Sequence, residues 1–339
     1  MADKGRILVI GGGSWGTAFA HYLASSRRAV RLWIREKEIV DVMKKCHENP
    51  VFLPGIRLSA NLVPVDDLKE EAAEADVLIF AVPSKFIRHI FELLRGTVRT
   101  QQVIVNLTKG FEAGTLKTIS QIAEEIFGSA VLSRWITLSG PSFAQELARK
   151  HPTTVVGASA NQKVLEKIQK DFSSAALRIY RSDDLRGIEV GGSVKNIMAI
   201  AAGMVNRLGF GYNTTASLVT RGSIEISRFG MRLGAKPETF WGLAGIGDLM
   251  LTCFGTLSRN FHLGQEIASG KSLADIENST LMVAEGVETT KAVRDISVKL
   301  KIDMPISTEV YHVLFQGKKP ETAIRDLMKR SLKKEWSIN

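Results

Sequence analysis

A chain of 339 residues, 45% hydrophobic and 24% charged, has the balance of a globular protein and the length of two ordinary domains, which excludes a largely disordered chain. The net charge of +10 suits anionic partners, but no nucleic-acid reading element accompanies it, so no specific nucleic-acid partner is expected. Two cysteines, and histidines without ligand spacing, exclude a disulfide framework and a zinc site; with no signal-peptide pattern, a cytoplasmic, metal-free protein is expected.

Short apolar, β-branched runs predict strands at Arg6–Ile10, Ala29–Trp33, Val77–Val82, Val103–Leu107, Trp135–Leu138, Thr154–Gly157 and Leu177–Tyr180. Most of the stretches between them, of 10 to 30 residues, read as helix, for example Thr17–Ser26 and Thr115–Phe127. That alternation predicts a parallel sheet with helices on both faces. From Leu185 onward the apolar spacing is helical, as in Val194–Val205, Thr215–Phe229, Glu288–Leu300 and Pro320–Lys329. The longest apolar candidate for a membrane span, Ile197–Val205, is about half the length of a bilayer crossing, so no transmembrane segment is expected. The C-terminal basic cluster Lys329, Arg330, Lys333 and Lys334 reads as a solvated helix end. The fold class that results is an α/β domain over residues 1–185 followed by an all-α domain over 186–339.

The first strand runs straight into Gly11-Gly12-Gly13-Ser14-Trp15-Gly16, which satisfies G-x-G-x-x-G at Gly11, Gly13 and Gly16. Gly11 permits the tight turn, Gly13 lets a pyrophosphate approach the backbone, and Gly16 lets the helix pack against the sheet. The helix that follows aims N–H groups and the positive end of its dipole at the phosphates. At the end of the second strand, Arg35 offers a forked donor suited to a 2′-phosphate, while Glu36 one residue on suits a ribose hydroxyl. NADP(H) is favoured, with NAD(H) as the alternative; a solvated strand-end arginine is the plainer reading.

Ligands in such sheets bind beyond the carboxyl ends of the strands. Those ends carry Pro83-Ser84-Lys85, Thr108-Lys109-Gly110 and Ser139-Gly140-Pro141-Ser142-Phe143-Ala144. Lys109 reads as a cation fit for a substrate oxygen or phosphate or as an ordinary surface lysine, and Ser142 reads as a ligand hydroxyl, a helix N-cap, or both.

In the second half, Lys195 and Asn196 fall in what reads as the first turn of an otherwise apolar helix. Burying an ammonium is expensive, so Lys195 points to chemistry, with Asp248 as its partner. The run Gly242–Asp248 is glycine-rich but follows no strand, which excludes a second nucleotide turn; its glycines serve close backbone approach. Ser258-Arg259-Asn260 at a helix start reads as an anion site or as an ordinary Ser258 cap. Val283-Ala284-Glu285-Gly286-Val287 reads as a mobile loop over a cofactor or a linker.

Taken together, Gly11–Gly16, Thr108-Lys109-Gly110, Ser139–Ala144, Lys195-Asn196, Thr220-Arg221-Gly222, Gly242–Asp248, Ser258–Asn260 and Ala284-Glu285-Gly286 resemble the bacterial-type NAD(P)-dependent glycerol-3-phosphate dehydrogenases over nearly the whole chain. The resemblance implies a Rossmann-type N-terminal domain, a helical C-terminal domain, and interconversion of dihydroxyacetone phosphate and sn-glycerol 3-phosphate for phospholipid synthesis. It implies cofactor contacts from Ser14, Trp15, Arg35, Lys109, Ala144, Arg259, Val283 and Glu285. Around the phosphorylated substrate it implies Lys109, Gly140, Ser142, Lys195, Asp248, Ser258, Arg259 and Asn260, with Lys195 as acid/base. A homodimer is expected. Gly12 stands where the family mostly has alanine. The rival readings are a related hydroxyacid dehydrogenase, a dinucleotide sensor without catalysis, and a basic nucleic-acid binder.

Overall fold

The computed structural model describes residues 5–26, 28–279, 284–332 and 334–335. The chain divides into two compact units, residues 1–109 with 117–188, and residues 110–116 with 189–339.

The first unit is an eight-stranded sheet. Its strands are β1 (Ile7–Ile10), β2 (Val30–Trp33), β3 (Leu62–Val65), β4 (Val77–Phe80), β5 (Val103–Asn106), β6 (Trp135–Ser139), β7 (Thr153–Ala158) and β8 (Leu177–Ser182). They lie in the order β3-β2-β1-β4-β5-β6-β7-β8. β1 pairs with β2 on one side and β4 on the other, so chain direction across the sheet reverses there, which is where doubly wound sheets open a ligand crevice. Residues such as Val9, Leu32, Ile79 and Val105 feed one buried cluster, and Leu8, Ile10, Leu78 and Phe80 feed another. Successive strand residues point to opposite faces, so these two clusters are the cores above and below the sheet.

Two features depart from the sequence expectation. β3 is not among the strands expected from sequence, since Pro64 interrupts a run of only four residues; it lies at the sheet edge, pairing with β2 alone, where a missing N–H is tolerated. The sheet is also not wholly parallel, since β6 and β7 run antiparallel while β7 and β8 are parallel. Apolar runs carry no information about strand direction.

The second unit is helical among its described residues, built on Leu185–Arg207 from Glu189 onward and on Tyr212–Arg232, Arg259–Ala268, Gly286–Leu300 and Pro305–Gln316. The 23-residue helix Leu185–Arg207 is long and apolar enough to cross a membrane, but its apolar window is wholly buried within the protein, as befits a core helix. It is much longer than the apolar run Ile197–Val205. Lys195 therefore sits in mid-helix and not in a first turn. Gly191-Gly192 looked like a helix start; a Cβ on Gly191 would come within 2.6 Å of the Ala244 carbonyl oxygen, so close packing, not termination, accounts for that glycine. Helix Pro320–Met328 ends before the basic cluster; there Arg330 is paired with Asp303, and Lys333 lies outside the described residues.

Candidate active site

In the first unit the expected residues gather at the carboxyl ends of neighbouring strands. Gly11 leaves β1 at φ +121°, and a Cβ there would meet the Ala81 carbonyl oxygen at 2.7 Å. A Cβ on Gly16 would stand 2.0 Å from the Gly11 carbonyl oxygen, so only glycine lets the helix Ser14–Ser25 start this close to the strand. Gly13 differs: nothing lies within 4 Å of where its Cβ would be. That open face, at a helix start carrying no side-chain cap and no acidic residue in its first turn, fits a pyrophosphate approaching the backbone. Trp15 lies in the first turn with its ring centroid 5.8 Å from that of Phe19.

Arg35 follows β2 and grips Glu36 Oε1 through Nε at 3.0 Å and Nη2 at 2.5 Å. Its guanidinium also lies 5.5 Å from the ring centre of Phe86, and the Lys85 ammonium lies 5.0 Å from the same ring. An aromatic face flanked by two cations suits a phosphorylated adenosine. The sequence marks Lys85 only by its position and gives no sign of Phe86, because the grouping depends on the turn after β4.

Lys109 follows β5 and is half-buried; Thr108 beside it donates to the Val82 carbonyl at 2.8 Å. Gly140 follows β6 at φ +143°. Ser142 caps no helix: the cap position before Ala144–Ala148 is Phe143, and the Ser142 hydroxyl turns back to donate to the Gly140 carbonyl at 2.9 Å. Ala144 opens that helix.

In the second unit Lys195 is buried, and its ammonium donates to Asp248 Oδ1 at 2.5 Å and to Thr252 Oγ1 at 2.7 Å. The Thr252 hydroxyl in turn donates to the Asp248 carbonyl at 2.6 Å. A buried ammonium is tolerable only with such compensation, and here a carboxylate supplies it. The pairing of Lys195 with Asp248 is the one expected from sequence. Thr252 was missed, although it lies four residues after Asp248 and so on the same helix face. Asp248 opens the helix Asp248–Phe254 after a loose turn in which Gly245 leaves helical geometry (φ −100°, ψ −105°). Cys253 beside this pair has its thiol pushed up to about 12 by burial, which keeps it protonated and inert.

Ser258 is the N-cap of Arg259–Ala268, its hydroxyl accepting from the Phe261 N–H at 3.2 Å. Asn260 is buried, and its Oδ1 accepts from the Gly286 N–H at 2.9 Å. A Cβ on Gly286 would lie 3.1 Å from the Asn196 carbonyl oxygen, so Asn260, Gly286 and the Lys195-bearing helix meet at one place. Arg259 is exposed, yet neighbouring atoms crowd it enough to push its guanidinium below its usual range, with the Glu285 carboxylate acting in the opposite sense. Glu285 is the N-cap of the helix Gly286–Leu300. Val283 lies outside the described residues. Among those described, no group of three or more His, Cys, Asp or Glu side chains is placed to hold a metal ion.

The sequence model of the NAD-dependent glycerol-3-phosphate dehydrogenase N-terminus matches residues 6–165, and that of the C-terminus matches residues 184–325. The chain belongs to this family. It is 43% identical to a glycerol-3-phosphate dehydrogenase (NAD(P)+) of Geobacter sp. strain M21 over 335 residues, covering 99% of each. A relative of the same name in Chlorobium phaeobacteroides is 42% identical, with 97% of this chain and 99% of that one covered. Among solved structures, a glycerol-3-phosphate dehydrogenase from Coxiella burnetii superposes with a TM-score of 0.92 at 33% identity, covering 96% of this chain and 99% of that one.

Proposed function

We propose that this chain is an NAD(P)-dependent sn-glycerol-3-phosphate dehydrogenase in which Lys195 is the acid/base. The observation that carries the reading is a buried ammonium held by Asp248 and Thr252 in a family member whose glycine turn leaves open space at Gly13. When bound, the reduced nicotinamide supplies a hydride to C2 of dihydroxyacetone phosphate. Negative charge then develops on the carbonyl oxygen, and Lys195 stabilises it and donates the proton. Asp248 and Thr252 fix the direction of the Lys195 N–H bonds, which leaves the amine preset for the oxyanion. Lys109 adds positive field, and Ser258, Arg259 and Asn260 hold the phosphorylated substrate with Gly140 and Ser142.

For the cofactor, Gly11, Gly13, Ser14, Trp15 and Gly16 cradle the pyrophosphate, and Ala144, Arg259 and Glu285 complete the contacts. Arg35 supports NADP(H) over NAD(H), helped by Lys85 across the Phe86 ring; the Glu36 carboxylate on Arg35 tempers that preference and leaves NAD(H) usable. The domains act as 1–185 for cofactor and 186–339 for substrate, the enzyme works as a cytoplasmic homodimer, and its product feeds phospholipid synthesis. The test is an absorbance assay of reduced nicotinamide with dihydroxyacetone phosphate. Loss of absorbance with NADPH, and more slowly with NADH, supports the reading. No loss with either, while another 2-keto acid or ketone is turned over, overturns it.

A further inference from the structure

We propose that Asn49 is a positioning residue for the cofactor: it sets the Gly12–Gly13 peptide so that the turn presents an N–H to the dinucleotide phosphates. The inference rests on the reading of the glycine turn as a pyrophosphate cradle.

Asn49 lies beyond the glycine motif in sequence and has no accessible surface. Its Nδ2 donates to the Gly12 carbonyl at 2.9 Å and to Thr17 Oγ1 at 3.0 Å. The Thr17 hydroxyl uses its own proton on the same Gly12 carbonyl at 3.0 Å. One backbone oxygen is thus held by two buried donors, and the donors are bonded to each other. In a trans peptide the carbonyl and the next N–H point in opposite directions. Fixing the Gly12 oxygen toward buried Asn49 and Thr17 therefore turns the Gly13 N–H the other way, and Gly13 is the glycine of this turn whose Cβ position has nothing within 4 Å. A flexible Gly-Gly-Gly run has many peptide orientations to choose from, and this clamp selects one.

The clamp is itself anchored. Asn49 Oδ1 accepts from the Phe52 N–H at 3.0 Å, while Leu53, Ile56 and Leu58 of the same segment are buried in the core. Further along, the Ser59 N–H donates to His21 Nδ1 at 2.9 Å, and Asn61 Nδ2 donates to the Ala24 carbonyl at 3.3 Å. Residues 49–61 are thereby strapped along the helix Ser14–Ser25. Burial pushes the His21 imidazole below its usual range, with the Lys150 charge adding to the effect, so it stays neutral and keeps accepting. Within the Asn49 amide the Oδ1 bond stays in its own segment, whereas the Nδ2 bonds reach across to Gly12 and Thr17. Asparagine suits both tasks because one planar amide carries two donors and an acceptor.

The test combines direct NADPH titration of the unliganded protein with thermal unfolding and steady-state kinetics. Asn49→Asp keeps the acceptor and removes the donors, and Thr17→Val removes the hydroxyl without adding charge. Each is expected to weaken NADPH binding roughly tenfold, since a buried carbonyl loses a donor, with the KM for dihydroxyacetone phosphate little changed. The double variant is expected to fall short of the product of the single effects, because both donors share one acceptor. Thr17→Ser, which restores the hydroxyl, is expected to bind as the parent does. A lowered melting temperature with unchanged NADPH affinity in Asn49→Asp and Thr17→Val overturns the proposal. Should Asn49→Asp not fold, equal affinity of Thr17→Val and Thr17→Ser overturns it. A parent protein that binds neither NADPH nor NADH removes the cradle reading itself.

Discussion

The molecule has two glycine-rich turns that look alike on paper, Gly11–Gly16 and Gly242–Gly247, and the structure treats them in opposite ways. In the first, Gly11 and Gly16 are needed because backbone crowds them, while Gly13 faces empty space. In the second, a Cβ on Gly245 would stand 2.2 Å from the Phe240 carbonyl oxygen, and Ala244 presses on Gly191. One turn is hollow where a ligand's phosphates would lie; the other is filled by its own protein. A glycine motif thus signals close approach, and what approaches is decided by the strand or helix around it. The filled turn has a different task, delivering Asp248 to Lys195.

Substitutions can break this contrast. The largest effect is expected from Lys195→Ala: turnover should fall by roughly 10²–10⁴-fold through loss of proton transfer and oxyanion stabilisation, with NADPH affinity nearly intact. Turnover near that of the parent would show that the second turn delivers Asp248 to a merely structural pair. Next come the glycines themselves. Gly13→Ala should unfold at the parent's temperature yet bind NADPH at least about tenfold more weakly, because the new methyl occupies ligand space. Gly245→Ala should do the reverse, losing stability by about 1–3 kcal/mol from strain and overpacking. Calorimetry and NADPH titration on the two proteins read both effects, and equal loss of stability in both would erase the distinction.

A smaller effect, in cofactor choice, is expected at Arg35. Arg35→Ala should raise the KM for NADPH several-fold while that for NADH hardly moves; equal changes would show that Arg35 does not read the 2′-phosphate.

The smallest effect concerns Glu225, another buried acid of the second unit. Its carboxylate accepts from the Ile306 N–H at 2.9 Å and from the Ser307 N–H and hydroxyl at 2.8 and 2.7 Å. Burial nevertheless pushes it from 4.5 up to about 6, against those hydrogen bonds and the Arg228 charge. The folded state then holds a proton that the unfolded chain releases, so its contribution to stability is present below pH 4.5 and declines by about 2 kcal/mol as pH rises to 6. Denaturant unfolding between pH 4.5 and 6.5 should show this decline in the parent and not in Glu225→Gln.

Much of this was legible in the sequence, for reasons that can be named. Seven strands announced themselves because β-branched runs that fill both faces of a sheet have few other uses. Lys195 stood out because an ammonium in an apolar helix is expensive, and Asp248 was the carboxylate in a glycine turn able to meet it. What stayed hidden was tertiary. β3 was masked by Pro64, and the reversed direction of β7 leaves no periodic trace. The long helix begins earlier than its apolar run suggests, because Gly191-Gly192 reads as a helix start until Ala244 is seen beside it. Asn49 had no local signature, as its partners Gly12 and Thr17 lie more than thirty positions away.

The central claim is a hydride passing from the nicotinamide to C2 of dihydroxyacetone phosphate. The most direct measurement supplies the protein with NADPH carrying deuterium at the transferable C4 position and reads the product by NMR. The account predicts sn-glycerol 3-phosphate with deuterium at C2, one label for each cofactor oxidised. Cofactor oxidised without label at C2, or label delivered to a different carbon or compound, would contradict it.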